Sequence, residues 1–205
     1  MTRIKCCGMT RIEDALLAAK LGADAIGVVF TSRSPRRVTI AQASAIVRVL
    51  PPFVASVALF MDDDQDLVRE VLDAVRPALL QFHGSETDAW CAQFGRPYLK
   101  AVEMGEGESA LGQLTRYPLA AALLLDGHVH GSAGGTGRPF DWTLLPSGVT
   151  QPLILAGGLD AHNVGAGIRA VRPWAVDVAS GVEIAPGIKD PGKLAAFIDA
   201  VREAD

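Results

Sequence analysis

Short apolar runs recur eight times along the 205-residue chain, and a stretch that can form a helix follows each of them. This alternation is typical of βαβ units, whose parallel strands are buried on both faces. The predicted strands are Arg3–Cys7, Ala25–Phe30, Val54–Phe60, Ala78–Gln81, Tyr98–Val102, Ala121–Asp126, Pro152–Ala156 and Ala175–Ala179.

Two of the intervening stretches carry helix-start signals. Thr10, with Glu13 three residues later, predicts a capping box, and Asp190 followed by Pro191 predicts a cap and a first-turn proline. The predicted helices are Arg11–Leu21, Ile40–Val49, Gln65–Val75, Glu86–Phe94, Glu108–Thr115, a short turn near Trp142–Leu145, Asn163–Ala170 and Pro191–Arg202.

Alternating strands and helices predict the α/β fold class, and the number of units indicates the architecture within it. Eight units in one domain-sized chain favour a closed (β/α)₈ barrel, the TIM barrel, over an open doubly wound sheet. No stretch has the composition of a linker, so residues 1–205 are predicted to form one compact domain. Because the chain is short for this fold, helices six and seven are expected to be stunted.

Composition narrows the class of protein. Hydrophobic residues make up 49% of the chain, no apolar run is long enough for a membrane span, and the first ten residues lack the apolar core of a signal peptide. A net charge of −4 without a basic block argues against nucleic acid. Three cysteines without a CxxC pair indicate a reduced, cytoplasmic enzyme. Monomer and homodimer both remain open.

Small and polar residues follow the predicted strands, and in a barrel of this type the chemistry sits at the carboxyl ends of the strands. These positions are therefore expected to meet at one rim. They are Cys7-Gly8, Gln81 to Gly84, Glu103, Asp126, Gly157-Gly158 and Ser180-Gly181.

The segment Leu123–Trp142 shows this pattern most clearly. Its apolar run stops on Asp126, and five glycines follow between positions 127 and 137. A buried strand that ends on one acid beside exposed backbone suits a catalytic group facing a ligand. An aspartate that only ends a strand and begins a turn is the alternative.

The first strand contains a second candidate. Side chains alternate along a strand, so Lys5 and Cys7 share one face and Cys6 takes the other. The helix that follows is expected to lower the pKa of the Cys7 thiol. Alternatively, Cys7 is a small buried hydrophobe, the role we assign to Cys91.

Lys5 generates a separate prediction. An ammonium group inside the barrel needs a partner, and Asp177 lies in the middle of strand eight, which closes the barrel against strand one. We predict an ion pair between them below the active site. The alternative is a Lys5 side chain that bends outward to solvent.

Glycines after strands seven and eight indicate a phosphate site. Gly157, Gly158 and Gly181, with Ser180, occur where barrels of this fold bind phosphate through backbone N–H groups. Ordinary tight turns are the alternative.

Arg36 and His83 are ambiguous on their own. The Arg36 guanidinium suits a carboxylate, but it is also compatible with a solvated surface position. His83 fits a base, a ligand or a turn cap, and no metal-ligand spacing accompanies it. His128 and His130 receive no role.

Taken together, these residues resemble the phosphoribosylanthranilate isomerase family of tryptophan biosynthesis. The motifs that match occur in order along the whole chain. They are Lys5-Cys6-Cys7-Gly8, Ser34-Pro35-Arg36, Gln81-Phe82-His83-Gly84, Asp126, Gly134-Gly135-Thr136-Gly137, Phe140-Asp141-Trp142, Ala156 to Leu159 with Asn163, Val176 to Glu183 and Gly187 to Asp190. Cys6 stands where the family usually has an apolar residue, and the two histidines at 128 and 130 also depart from the pattern.

The resemblance implies an Amadori rearrangement of a small phosphosugar, N-(5-phosphoribosyl)anthranilate, without metal or organic cofactor. It implies that Asp126 is the acid, with a raised pKa, and that Cys7 is the base, with a lowered pKa. Arg36 would bind the anthranilate carboxylate, and the turns after strands seven and eight would bind the phosphate. The other substrate-binding residues implied are Gln81, His83 and Gly135.

Two alternatives remain. One is the related aminoaldose-phosphate isomerase of histidine biosynthesis, or a dual-specificity enzyme. That type uses aspartates for both acid and base, so Cys7 argues against it. The other is a non-catalytic barrel that binds a phosphosugar, against which Cys7 and Asp126 both argue.

Overall fold

The computed structural model describes residues 1–104, 112, 114–127 and 149–205. Its eight parallel strands form a closed barrel, in which each strand pairs with the next and β8 pairs with β1. All eight predicted strands are confirmed, with ends within one residue of the prediction. The strands are β1 Arg3–Cys6, β2 Ala25–Val29, β3 Ala55–Phe60, β4 Leu79–Phe82, β5 Tyr98–Glu103, β6 Ala122–Asp126, β7 Leu153–Ala156 and β8 Ala175–Val178.

Helices of the described residues cover the outside of the barrel. They are α1 Ile12–Leu21, α2 Ile40–Arg48, α3 Gln65–Ala74, α4 Asp88–Ala92, α5 Val164–Val171 and α6 Pro191–Ala204. The predicted turn near Trp142–Leu145 and most of the predicted Glu108–Thr115 helix lie outside the described residues. Among the helices described, none combines the length and apolar character needed to cross a membrane.

Alternation along the strands divides the apolar side chains into two layers. Outward-facing residues such as Ile4 and Cys6 are fully buried in the core between strands and helices. Inward-facing residues such as Val57 and Leu124 fill the barrel. Cys7 belongs with neither layer, because it lies with Val29 and Leu59 in a small apolar cluster of its own. Cys6 and Cys7 therefore face opposite ways, as the alternation predicts.

The predicted capping box at Thr10 is wrong. Helix α1 has Arg11 at its N-cap, without a capping side chain. The Thr10 hydroxyl instead donates to the Gly187 carbonyl at 2.5 Å. Gly187 belongs to an antiparallel hairpin of β9 Glu183–Ala185 and β10 Ile188–Lys189, which the sequence did not predict. Thr10 therefore ties the β1–α1 loop to this hairpin.

Helix α4 starts at Asp88, later than predicted, and Glu86 lies before it, where its carboxylate binds groups of the neighbouring loops. Its carboxylate is 3.0 Å from the buried Lys100 ammonium and accepts from the backbone N–H groups of Asp62 and Gly84 at 2.7 and 2.9 Å. Lys100 also donates to the Gly84 carbonyl at 2.5 Å. The Lys100–Glu86 pair thus fixes the loops that follow β3 and β4 at the carboxyl end of the barrel.

The predicted cap of the last helix is confirmed, and its contribution can be measured. The Asp190 carboxylate accepts from the Lys193 backbone N–H at 2.9 Å, with Pro191 in the first turn. We expect Asp190→Ala to lower the free energy of unfolding by about 1 kcal/mol, because that N–H loses its acceptor. Urea denaturation provides the measurement. Asp199→Ala, at an exposed position inside the same helix, is the matched control and should change stability by less than about 0.5 kcal/mol. Equal losses in the two variants would contradict the capping role.

Candidate active site

Polar side chains from three strands reach the carboxyl end of the barrel. Cys7 follows β1, His83 follows β4, and Asp126 is the last residue of β6. In the barrel order, β8 and β7 lie between the strands that carry Cys7 and Asp126. The predicted rim therefore exists, with the thiol and the carboxylate on well separated strands.

Close packing fixes Cys7. The residue is 5% exposed, and its backbone N–H donates to the Val178 carbonyl at 2.8 Å. Gly27 of β2 lies against it, so close that a Cβ there would stand 2.8 Å from the Cys7 Sγ. Gly27 is not among the residues predicted from the sequence, although a glycine inside a strand often marks such a close approach.

The predicted ion pair between Lys5 and Asp177 is confirmed. The two residues face each other across β1 and β8, and the Lys5 Nζ lies 2.8 Å from the Asp177 Oδ1. Both side chains are less than a tenth exposed, at 4% and 9%. Burial alone would lower the pKa of Lys5, but the adjacent Asp177 carboxylate raises it to about 12. The barrel interior under Cys7 therefore carries a fixed ion pair.

The expectation of a lowered pKa for Cys7 is wrong. Burial raises the pKa of its thiol above the ordinary value, although the charges of Lys5 and Lys189 act to lower it. Desolvation of a thiolate in this apolar cluster, together with the nearby Asp177 carboxylate, outweighs both cations. The protein therefore holds Cys7 as a thiol at neutral pH. Cys6, on the other face, has a pKa raised by burial to about 12.

Asp126 lies beside His83 and Gln81. The Asp126 Oδ2 is 2.9 Å from the His83 Nε2, and the His83 Nδ1 is 3.3 Å from the Gln81 Nε2. Gln81 is 1% exposed and points into the barrel. Gly157 leaves room for Asp126, because a Cβ there would stand 2.7 Å from the Asp126 Oδ1. The structure thus joins three predicted site residues, Gln81, His83 and Asp126, in one hydrogen-bonded row.

Arg36 is held by a carboxylate that sequence reasoning did not select. Its Nε donates to Glu183 at 2.9 and 3.1 Å, and its Nη2 donates at 2.7 Å. Glu183 also receives a bond of 2.8 Å from Lys189, whose ammonium donates to the Cys7 carbonyl at 2.6 Å. Burial opposes ionisation, but Arg36 and Lys189 hold the pKa of Glu183 below its usual value.

This network fixes the edge of Arg36 that remains for a ligand. A guanidinium has a side-on edge, formed by Nε and one amino group, and an end-on edge formed by its two amino groups. Glu183 occupies the side-on edge. Gly8 allows Arg36 to lie over β1, since a Cβ at Gly8 would stand 2.5 Å from the Arg36 Cδ. The signal that could have revealed Glu183 is its position three residues after Ser180, at the same rim.

The turns after β7 and β8 pack against each other. Gly157 and Gly158 have φ angles of 82° and 67°, in the left-handed region that favours glycine. A Cβ at Gly181 would stand 1.9 Å from the Leu159 carbonyl oxygen, so only glycine fits there. Ser180 opens a 3₁₀ turn, Ser180–Val182. The structure therefore brings together the four residues in which the sequence predicts a phosphate site.

The remaining predicted residues lie elsewhere. Gly135, with His128 and His130, lies outside the described residues. Cys91 is fully buried in α4 and packs as an apolar residue. Within the described ranges, no three His, Cys, Asp or Glu side chains are grouped in a way that could hold a metal ion.

Comparison with known proteins identifies relatives over almost the whole chain. Residues 4–200 match the family described as N-(5'-phosphoribosyl)anthranilate (PRA) isomerase. The N-(5'-phosphoribosyl)anthranilate isomerase of Pseudomonas paraeruginosa is 55% identical over 200 residues, which cover 98% of this chain and 95% of that protein.

Solved structures of this kind have the same fold. The crystal structure of phosphoribosyl anthranilate isomerase from Thermotoga maritima superposes with a TM-score of 0.93 at 36% identity, covering 99% of this chain and 100% of the other. A phosphoribosyl anthranilate isomerase in complex with reduced 1-(o-carboxyphenylamino)-1-deoxyribulose 5-phosphate superposes with a TM-score of 0.85 at 33% identity, over 99% and 100% of the two chains.

The ion pair under Cys7 has two measurable consequences. We expect Lys5→Met to raise the pKa of Cys7 further and to lower the free energy of unfolding by roughly 3 kcal/mol, because Asp177 then stays buried without its cation. Since the raised pKa of Lys5 is about 12, this contribution is complete at neutral pH and is lost as the pH rises through that value. Alkylation rates against pH, in a background lacking Cys6 and Cys91, would report the thiol pKa.

The matched control for Lys5→Met is the double variant Lys5→Met/Asp177→Leu, which removes both charges. It should recover a large part of the lost stability, as apolar replacements of buried ion pairs do. If the two substitutions are additive in urea denaturation, Lys5 and Asp177 do not stabilise each other.

Proposed function

The chain belongs to the N-(5'-phosphoribosyl)anthranilate isomerase family, and we propose that it converts N-(5'-phosphoribosyl)anthranilate to 1-(2-carboxyphenylamino)-1-deoxyribulose 5-phosphate in tryptophan biosynthesis. The observation that carries this proposal is the placement of Cys7 and Asp126 on one rim of the barrel, in a chain that matches the family from residue 4 to 200. The relative that binds the reduced product supports a phosphosugar as the substrate class.

General acid–base catalysis accounts for the rearrangement. Asp126 protonates the ribose ring oxygen, and the ring opens to a protonated imine (iminium) between C1′ and the anthranilate nitrogen, which keeps its hydrogen. Cys7, as thiolate, then removes the proton from C2′, which gives an enolamine. Tautomerisation places the carbonyl at C2′ and yields the ketose. Each step moves one proton, so the residues require no metal or organic cofactor.

The raised pKa of Cys7 shapes this mechanism. A thiolate formed from a weakly acidic thiol is scarce at neutral pH but strongly basic, which suits removal of a proton from carbon. Lys5 and Lys189 stabilise that thiolate when it forms. Asp126 must carry a proton when it acts, and its raised pKa remains a prediction.

Arg36 binds the anthranilate carboxylate in this proposal. Glu183 holds the side-on edge of the guanidinium in place, so the end-on edge offers two parallel N–H donors to the substrate. Through Lys189, the same network also fixes the carbonyl of Cys7. The residues that bind the carboxylate and remove the proton are therefore positioned together.

The phosphate lies, in this proposal, against the packed turns that follow β7 and β8. Gly157, Gly158, Ser180 and Gly181 would bind it, chiefly through backbone N–H groups. Gly135 is proposed to contact the substrate as well. The β4 pair Gln81 and His83 borders the substrate beside Asp126.

The setting we propose is the cytoplasm, with residues 1–205 acting as one domain on a small molecule. All three cysteines are free thiols and buried, which is compatible with a reducing compartment.

A fluorescence assay tests the activity directly. The purified protein should consume N-(5'-phosphoribosyl)anthranilate with turnover and leave the corresponding aminoaldose phosphate of histidine biosynthesis unchanged. Turnover of both substrates would replace the proposal with a dual-specificity enzyme. Binding without turnover of either would indicate a phosphosugar-binding barrel.

The two adjacent cysteines give a matched pair for testing the base. We expect Cys7→Ala to lower kcat by roughly 10²–10⁴-fold, because a positioned base contributes about that much, while substrate binding stays nearly intact. Cys6→Ala, on the opposite face of the strand, should have a mild effect. Steady-state kinetics of both variants provide the measurement. Equal losses of activity would contradict the assignment of Cys7.

The proposed contact between Arg36 and the substrate carboxylate can be tested with a substitution that keeps the positive charge and changes the donor geometry. Arg36→Lys keeps the cation but loses the two parallel donors, so we expect the dissociation constant for the reduced product to rise roughly tenfold or more. Arg37→Lys, at the exposed neighbouring position, is the control. Affinities should also be compared for the reduced product with and without its carboxylate. If loss of the carboxylate weakens wild type and Arg36→Ala equally, Arg36 does not contact it.

A further inference from the structure

Gln81 carries a buried acceptor that the proposed reaction does not use. The residue is 1% exposed, and among the described residues no group donates to its Oε1. A buried amide oxygen without a donor is unusual, because most buried polar atoms have a hydrogen-bond partner. The other end of the same amide, Nε2, is 3.3 Å from the His83 Nδ1. The unpartnered oxygen is therefore one amide rotation away from the histidine.

The hydrogen bonds among Gln81, His83 and Asp126 depend on how many protons these side chains carry. With Asp126 ionised and His83 neutral, the imidazole donates its Nε2–H to the Asp126 Oδ2 across 2.9 Å. The His83 Nδ1 is then an acceptor, and the Gln81 Nε2 donates to it. In this state no described residue donates to the Gln81 Oε1.

One added proton changes the pattern. If the proton resides on the histidine, His83 donates from both nitrogens, to Asp126 and towards Gln81. If it resides on Asp126, the carboxyl donates to the His83 Nε2, and the Nδ1 again carries a hydrogen. In both forms the Nδ1–H needs an acceptor, and rotation of the Gln81 amide by about 180° supplies Oε1. In the protonated row the Gln81 Oε1 accepts from the His83 Nδ1–H, and the Gln81 Nε2 takes the place that Oε1 held.

We propose that His83 and Gln81 form a proton store for Asp126, in which the Gln81 amide turns when the Asp126–His83 pair takes up one proton. This inference rests on the proposed function, since it gives the source of the proton that Asp126 delivers. His83 is then a positioning residue that acts through Asp126, and Gln81 is the hydrogen-bond partner of its second nitrogen.

Other charged groups surround the pair. Asp177 of β8 interacts electrostatically with both His83 and Asp126, and its own ion pair is with Lys5 of β1. Glu103, at the end of β5, lies opposite Asp126 in the strand register. On the other side, Lys100 binds the Gly84 carbonyl next to His83. The carboxylates of Asp177 and Glu103 favour an added proton on the pair, and Lys100 opposes it.

Protons balance over one turnover. The loaded pair gives one proton to the ribose ring oxygen, which leaves Asp126 ionised, His83 neutral and the Gln81 amide turned back. Cys7 takes one proton from C2′. When the enolamine tautomerises, C1′ gains one proton from solvent and the hydroxyl on C2′ loses one to solvent. The number of protons on the product therefore does not change in this step. Exchange with solvent then releases the proton of Cys7 and reloads the pair, so the isomerisation consumes no proton.

Nuclear magnetic resonance tests the store without turnover. The ¹⁵N shifts of His83, assigned by their loss in His83→Asn, should show Nε2 protonated at high pH and the added proton appearing on Nδ1 as the pH falls. The exposed His162, which lies in another part of the chain, serves as an internal reference resonance. In Gln81→Met the uptake should move to lower pH, because Nδ1–H loses its acceptor, and in Gln81→Glu it should move to higher pH. An Nδ1 protonated at all pH values, or titrations unaffected by both Gln81 variants, would overturn the proposal.

Kinetics then test whether the stored proton is the one used. Without His83, the proton that Asp126 delivers has no neighbouring base to hold it, so Asp126 should be loaded only at lower pH. For His83→Asn we therefore expect kcat/KM to fall roughly 100-fold at pH 8, the lower end of what a positioned proton donor contributes, with a loss that shrinks as the pH is lowered toward 4. His162→Asn should follow wild type throughout. A loss of equal size at every pH would mean that His83 only supports structure or binds substrate, and would overturn the proposal.

The resonance titration and the kinetic experiment together distinguish failure of this inference from failure of the proposed function. If wild type does not turn over N-(5'-phosphoribosyl)anthranilate, the function fails, but the resonance titration still decides whether Gln81 and His83 take up a proton as described. If wild type is active and His83 does not titrate through Nδ1, the function stands and the proton store is wrong.

Discussion

The pairing of β1 with β8 is the constraint on which the rest of the structure depends. It closes the barrel, and it does so in the register that places Lys5 opposite Asp177. A shift by one residue would turn Cys7 and Lys5 away from the barrel interior and bring Cys6 into it. The buried ion pair favours one register, because any other leaves a charge inside the barrel without its partner. The pairing that closes the barrel thus also sets the orientation of the Cys7 thiol.

Two charge networks meet at Cys7 from opposite sides. The Lys5–Asp177 pair lies inside the barrel, whereas Arg36, Glu183 and Lys189 reach the Cys7 carbonyl from the loops. Neither network overcomes the burial of the thiol, whose pKa is raised. Their common effect is geometric as well as electrostatic: they hold one backbone position from both the interior of the barrel and its rim.

The sequence predicted the features that follow from periodicity. Strand alternation places Cys7 inward and Cys6 outward, and the same alternation leads to the Lys5–Asp177 pair. It did not predict features that depend on the balance of energies or on distant contacts. The pKa of Cys7 depends on desolvation, which requires knowledge of packing. Glu183 binds Arg36 across 147 residues of sequence, and the short hairpin that presents it has no apolar alternation of its own. Thr10 is not the cap because α1 begins one residue later than such a cap requires, with Arg11 at its N-cap, and the Thr10 hydroxyl donates to the Gly187 carbonyl.

The distance in sequence between Cys7 and Lys189 has a consequence for how the protein is made. The two residues bind each other across 182 positions, so the carbonyl of Cys7 receives its ammonium donor only after the residues between them have been synthesised. Contacts of such long range carry a large loop-closure entropy and tend to form late in folding. The thiol follows the first strand of the barrel, β1, yet its surroundings are completed by β10, which comes after the eighth. A nascent chain that has built most of the barrel would therefore still lack an organised base, and chemical competence would arise in a single late step rather than grow with the chain.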